Sequence, residues 1–130
     1  MTTNTTTSEA LVGIRVNVDG TFEDVRIETT ATVSEFGALS NAVGCDLFDR
    51  VALPGDIDVF VDDEGLYRQV HNPVLSEMVR HLTGAPLGYR LHGAGVFLGM
   101  NDEGDTLSLT PSQRATIAAA WFAASPLAFL

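Results

Sequence analysis

Lysine is absent from this chain of 130 residues. The whole basic set is Arg15, Arg26, Arg50, Arg68, Arg80, Arg90 and Arg114, against 17 aspartates and glutamates. A net charge of −10 repels phosphate backbones and argues against direct nucleic-acid binding. It suits a basic partner, or simply keeps the chain soluble. Cysteine is nearly absent. Cys45 stands alone, so neither an internal disulfide nor a cysteine-built metal cluster can form, which fits a reducing cytoplasm. A lone free cysteine is most often a small buried hydrophobe, so no nucleophile is read into it. The opening MTTNTTTSEA lacks the basic and apolar regions of a signal peptide and is expected to be a flexible tail over residues 1–10. No run is long enough to span a membrane. The apolar stretch ATIAAAWFAASPLAFL is too short and holds Pro126. It is expected to be a helix, packed in the core or joining two copies, with an apolar tail over 126–130.

Motifs are scarce too. His71, His81 and His92 have no H-E-x-x-H or H-x-x-x-H spacing, and no EF-hand, Walker or G-x-S-x-G pattern occurs. Gly93, Gly95 and Gly99 fall within or before a strand. A phosphate-binding turn would follow a strand and open a helix, so these glycines are read as close backbone approach in a sheet.

What remains is a chain with 45% hydrophobic residues, enough for one cored domain over residues 11–125. LVGIRVNV alternates as a half-buried strand, with Val12, Ile14, Val16 and Val18 on one face. Asp19-Gly20 signals a hairpin into TFEDVRIE, where Phe22 is off the parity of Val25 and Ile27, a hint of a bulge or wide turn. TVSEFGALSNAVG reads as a helix opened by a Thr32–Glu35 capping box and closed by Gly44. Pro54-Gly55-Asp56 joins two strands, DLFDRVAL and IDVFV. Asn72 and Pro73 suit the cap and first position of a helix with the stripe Leu75, Met78, Val79 and Leu82. GAGVFLGM and TLSL are strands around the turn NDEGD. Thr110, Pro111 and Gln113 start the last helix, which carries Ile117 and Trp121 on one face. The expected fold is α+β: a mixed, mainly antiparallel sheet of about five or six strands with about three helices.

The most polar stretches are VDDEGLYRQVHNP and NDEGDTLSLTP. Both end a strand, turn on glycine and lead towards a capped helix. They are a degenerate repeat or, by the preferred reading, one turn grammar used twice, since the flanking apolar patterns do not superpose. If IDVFV and GVFLGM were parallel neighbours, Asp62, Asp63, Glu64, Asp102, Glu103 and Asp105 would share one rim, fit for a divalent cation with oxygen ligands. Solvated acidic turns are the plainer expectation, and no cofactor is called for. Tyr67, Arg68, His71 and Asn72 form a polar loop in which a planar ligand would stack on Tyr67 while Arg68 held its anion. The plainer reading is a loop that leads into a helix. His71 would act as a base only with a substrate in hydrogen-bond reach.

IDVFVDDEGLYRQVHNPVLSEMV and GVFLGMNDEGDTLSLTPSQ together resemble a small family of domains of unknown function in actinobacteria and in their phages and plasmids. The shared pattern is l-x-D-x-[WVF]-V-D-[DE]-E-G, then N-P-x-[AL], then G-x-x-[VF], then D-D-E-G-[DE]-T-x-G-L-T. It runs here from Ile57 to Gly65, through Asn72-Pro73 and Gly95 to Leu98, to Asn101–Thr110. Asn101 stands where the family more often has an acid, and Ser108 where it often has glycine. The resemblance covers roughly residues 11 to 115 and implies a small α+β domain without established catalysis. A phage or mobile-element setting makes the expected role a non-enzymatic acidic protein of the host cytoplasm. It would bind and modulate a host protein with a basic surface, as an anti-defence factor or nucleic-acid mimic. The alternative is a module that sequesters a nucleotide-like ligand between protomers, with Arg90 or Arg114 helping to hold the anion. A metal-assisted hydrolase is third. Self-association as a homodimer through the last helix suits all three. Charge reversal of Asp62, Asp63 and Glu64 is expected to spare folding and weaken a basic partner's binding.

Overall fold

A computed structural model of the chain describes residues 9–85 and 90–128. Residues 1–8 of the expected N-terminal tail, and residues 129–130 of the C-terminal one, lie outside the described residues. Ten elements follow one another: β1 (Glu9–Val16), β2 (Phe22–Thr29), α1 (Glu35–Val43), β3 (Phe48–Leu53), β4 (Ile57–Asp62), a single-turn α2 (Gly65–Arg68), α3 (Pro73–Thr83), β5 (Gly95–Met100), β6 (Thr106–Leu107) and α4 (Pro111–Ala128). The sheet order is β2-β1-β5-β4-β3, with β6 paired to β5. Every pairing is antiparallel, so the expected mixed sheet gives way to a fully antiparallel one.

Both faces of the sheet are covered, and strand parity says by what. Ile57, Val59 and Val61 of β4, Ile14 and Val16 of β1 and Phe97 of β5 pack against Val74, Leu75, Met78 and Val79 of α3 and Ile117, Ala120 and Ala124 of α4. The opposite parity, Phe60, Val96 and Leu98, joins Ile27 of β2 in packing against Ala38, Leu39 and Val43 of α1. The inner strand β4 is consequently buried at all six positions. A Cβ at Gly95 would stand 2.6 Å from Cδ2 of Leu75, so α3 lies against nearly bare backbone there.

Local chemistry sets most of the boundaries. Asn17 N–H donates to Thr21 O and closes a five-residue turn, the wide turn that Phe22 hinted at; β1 therefore ends at Val16 and Val18 is exposed. Thr32 does not cap α1. The helix begins at Glu35, and the Ser34 hydroxyl accepts from Gly37 N–H at 3.1 Å, while Thr30 Oγ1 takes the amides of Thr32 and Val33 upstream. Val33 and Phe36 are left exposed, while Ala38, Leu39 and Val43 face the sheet. Gly44 ends α1 at φ 88°, as expected. The Thr110–Gln113 box of α4 forms in both directions, at 2.9 and 3.1 Å. Helix α4 runs through Pro126 to Ala128, so 126–128 continue the helix rather than trail from it.

Trp121 is half buried on α4. Its Nε1 donates to Gly20 O at 2.7 Å, and its ring meets Phe22 at 4.7 Å. Replacing it with alanine unhooks α4 from the β1–β2 turn. Trp121→Ala is expected to cost about 2 kcal/mol, below the range for a fully buried tryptophan, in urea unfolding. A change within error would mean that α4 docks without this ring.

Candidate functional site

The antiparallel register decides the fate of the two acidic turns. Ile57 faces Gly99 and Phe60 faces Val96, so β4 ends where β5 begins. Asp62, Asp63 and Glu64 therefore lie at one end of the sheet, and Asp102, Glu103 and Asp105 at the other. The shared rim of six carboxylates does not form. Among the described residues, no three histidine, cysteine, aspartate or glutamate side chains gather to hold a metal ion.

The second turn is a hairpin loop organised by Asn101, whose Oδ1 accepts from the amides of Glu103 and Asp105, both at 2.9 Å. All three of its acidic residues are exposed, and Asp105 Oδ2 also accepts from Asn101 Nδ2 at 3.2 Å. The first turn is organised by Asp62, which is buried. Its Oδ1 accepts from Glu64 N–H at 2.9 Å and its Oδ2 from Gln69 Nε2 at 3.0 Å. Asp62 thus holds α2 in place and belongs to the fold, so reversing its charge would not spare folding. Asp63 and Glu64 are exposed. Arg68 lies between Glu64 (3.5 Å) and Asp46 (3.6 Å), and Asp62, then Glu64 and Asp46, hold its guanidinium even more firmly protonated than usual.

The loop expected from Tyr67 to Asn72 splits into three environments. Tyr67 stands on α2, almost wholly in solvent. His71 bridges to His92, ring to ring at 5.5 Å. Burial first, then Arg90 and His92, lowers its pKa, so the imidazole is neutral near pH 7. Asn72 has no accessible surface and cannot touch a ligand. Its Oδ1 accepts from Leu75 N–H at 3.0 Å, and its Nδ2 donates to Gly93 O at 2.9 Å and Val16 O at 3.3 Å. It is the helix cap that its spacing promised, tied to the end of β1 and to the bend that precedes β5. Arg114, offered as an anion holder, pairs with Asp24 of β2. Arg90 lines a cleft with Asp62, Asp63 and His92, of about 130 Å³. Roughly 300 Å³ is the lower end for a small-molecule site. The Cys45 thiol is pushed up to about 11, chiefly by burial and then by Asp62, which removes it as a nucleophile.

The sequence pattern of a known family, the domain of unknown function DUF3846, matches residues 11–121. The chain belongs to the DUF3846 family. No curated protein matches it. A crystal structure of the small RNA methyltransferase HEN1 contains a similar fold, with TM-score 0.58 at 11% identity over 99% of this chain. This chain spans 19% of that one, and the likeness is one of fold. In this DUF3846 domain, no helix among the described residues is long and apolar enough to cross a membrane.

Two groups, Tyr67 apart, escape the sequence reading. Around α2, Leu47, Leu66, Tyr67 and Val70 are 56%, 67%, 86% and 71% exposed. Asp63 N–H donates to Leu47 O at 3.0 Å, which sets Leu47 and the exposed Asp46 beside α2. Apolar side chains are normally assigned inward; here Leu66 and Tyr67 lie on the single-turn α2, Val70 just after it and Leu47 just before β3. The second group is Asp58 with Arg50, on the α1 face of the sheet. A carboxylate alternating with apolar residues reads as the solvent side of a strand, but β4 has no solvent side.

Proposed function

We propose that this domain is a protein-binding module that acts without chemistry of its own and presents α2 and its flanks to a partner with a basic surface. One observation carries the reading: Leu47, Leu66, Tyr67 and Val70 stand out into solvent among Asp46, Asp63 and Glu64. Large apolar side chains exposed together mark interaction surfaces, and tyrosine is favoured at their energetic centres. The acids around them add attraction that is long-ranged and weakens with salt. Phage or mobile-element origin, implied by the resemblance, makes a host protein the natural target. Mimicry of nucleic acid or interference with defence is the finer form of this proposal. Self-association through α4 is part of it too, supported by Phe122, which is exposed and lies 5.2 Å from the Trp121 ring. Sequestering a nucleotide at the Tyr67–Asn72 segment draws less support, because Asn72 is sealed in the core and the adjoining cleft is small.

The test compares the native chain with Tyr67→Ala combined with Asp63→Arg and Glu64→Arg, three exposed positions. The native chain should retain a basic protein from a host extract at low salt and release it at high salt. Against that purified partner, the variant should lose about 2 kcal/mol or more of binding free energy while keeping the native melting temperature. A variant that binds as well as the native chain would remove this face from consideration.

A further inference from the structure

A second cavity adjoins β3 on the α1 face of the sheet. It measures about 490 Å³ and is lined by Glu35 and Leu39 of α1, Phe48 and Arg50 of β3, Phe60 of β4 and Gly104, Asp105 and Thr106 of the β5–β6 loop. The volume falls in the range that admits a small organic molecule, roughly 300–1,000 Å³. Its walls combine two features. Phe48 and Phe60 meet edge to face at 5.3 Å and offer an aromatic surface. Glu35 and Asp105 are acidic, and Arg50 is the only base in the lining.

Behind this wall sits a carboxylate without a partner. Asp58 shares the α1-facing side of β4 with Phe60, two residues on. It is 0% exposed, and neither side-chain oxygen accepts a hydrogen bond. Its nearest charge is Nε of Arg50, 3.7 Å from Oδ2, too far for a hydrogen bond. Arg50 lines the cavity and Asp58 does not; among the described residues the only other side-chain tie of Arg50 is a 3.5 Å contact with Gly104 O. A buried carboxylate left unsatisfied is costly, and cores rarely keep one without a use. Burial accordingly raises its pKa, with Arg50 opposing.

We infer that this cavity is a binding site for a small organic cation, an ammonium or guanidinium group carried on an apolar or aromatic body. The body rests on Phe48, Phe60 and Leu39, where an aromatic face also attracts positive charge. Arg50, half exposed, swings aside, and the cation's N–H groups reach the Asp58 oxygens while Glu35 and Asp105 flank it. Three carboxylates then face one incoming cation and the displaced arginine, which rejects anions of the same shape.

Phenethylammonium is a suitable probe, with 3-phenylpropionate and 2-phenylethanol as anionic and neutral counterparts. Titration followed by amide and arginine side-chain NMR should give saturable millimolar binding of the amine, with shifts at Arg50 Nε, Phe60 and Thr106. The two counterparts should not saturate. Asp58→Asn keeps the shape and removes the charge, and should weaken the amine at least about tenfold. Glu35→Gln, at the cavity mouth, should weaken it less. The inference is overturned by an amine that fails to saturate, by equal binding of the alcohol, or by an Asp58→Asn variant that is folded and binds as the native chain does. The α2 face takes no part in this site, so neither result bears on partner binding there.

Discussion

Asn72→Asp should lower the stability of the domain by roughly 3–5 kcal/mol, although it changes a single amide nitrogen to oxygen. The new side chain keeps the acceptor that caps α3 at Leu75. What it loses is the donor. Nδ2 faces Gly93 O at 2.9 Å and Val16 O at 3.3 Å, so an aspartate would set an oxygen against two carbonyl oxygens in a place no water reaches. It would either ionise there unpaired or hold a proton against its own preference. Domains of this size have about 5–15 kcal/mol in all, so the variant sits near the edge of folding. Urea unfolding should show a lower midpoint at an unchanged slope. Asn72→Ser, which retains a capping oxygen and merely withdraws the donors, should lose less. A loss under about 1 kcal/mol for the aspartate would show that the cap alone matters and the two carbonyl contacts do not.

Asp58→Val should do the reverse and stabilise the fold, by about 1–4 kcal/mol. The carboxylate it removes makes no hydrogen bond, and a β-branched side chain suits a central strand. Arg50 is not stranded by the change, because nearly half of its side chain already meets solvent. The gain should depend on pH in a definite direction. Burial raises the folded pKa of Asp58 above its unfolded value. Below the unfolded value, both states hold the proton and the native chain carries no charge penalty. As pH rises above it, the unfolded chain ionises first, and the native fold loses stability relative to the variant until the folded carboxyl has ionised too. The variant's advantage should therefore narrow on acidification towards about pH 3 and be full at neutral pH. A constant difference across that range would mean that Asp58 titrates as freely in the fold as outside it.

The elements that could be read from the chain are those whose cause lies within a few residues. Asn72-Pro73 starts α3, Thr110 with Gln113 starts α4, Gly44 stops α1, and Pro54-Gly55-Asp56 turns β3 into β4. Such local punctuation is why an α+β domain was legible. The site was not, because its causes are distant in sequence. Whether β4 and β5 run parallel cannot be seen from either strand, yet that direction separates the two acidic turns. Asp62 and Asp63 look alike in sequence, but one is a buried brace and the other a solvated charge. Asp58 is hidden because β4 is an inner strand with both faces covered, and that position is a property of the sheet order. The exposure of Leu66 and Tyr67 belongs to a four-residue helix too short to leave a periodicity.

The position of β1 has a consequence for how the molecule comes into being. It is the first strand in the chain, but one of its neighbours is β5, and its Val12 amide donates to Ser108, 96 residues further along. A ribosome releasing this chain exposes the β1–β2 hairpin long before the strand that completes it emerges. During that interval one side of β1 carries open backbone groups next to Ile14 and Val16, the kind of edge that pairs with whatever strand arrives first. Long-range closure of this sort slows folding. The amino-terminal third must therefore wait for the last, and it is during synthesis, rather than in the finished fold, that the chain is most open to pairing with a wrong strand.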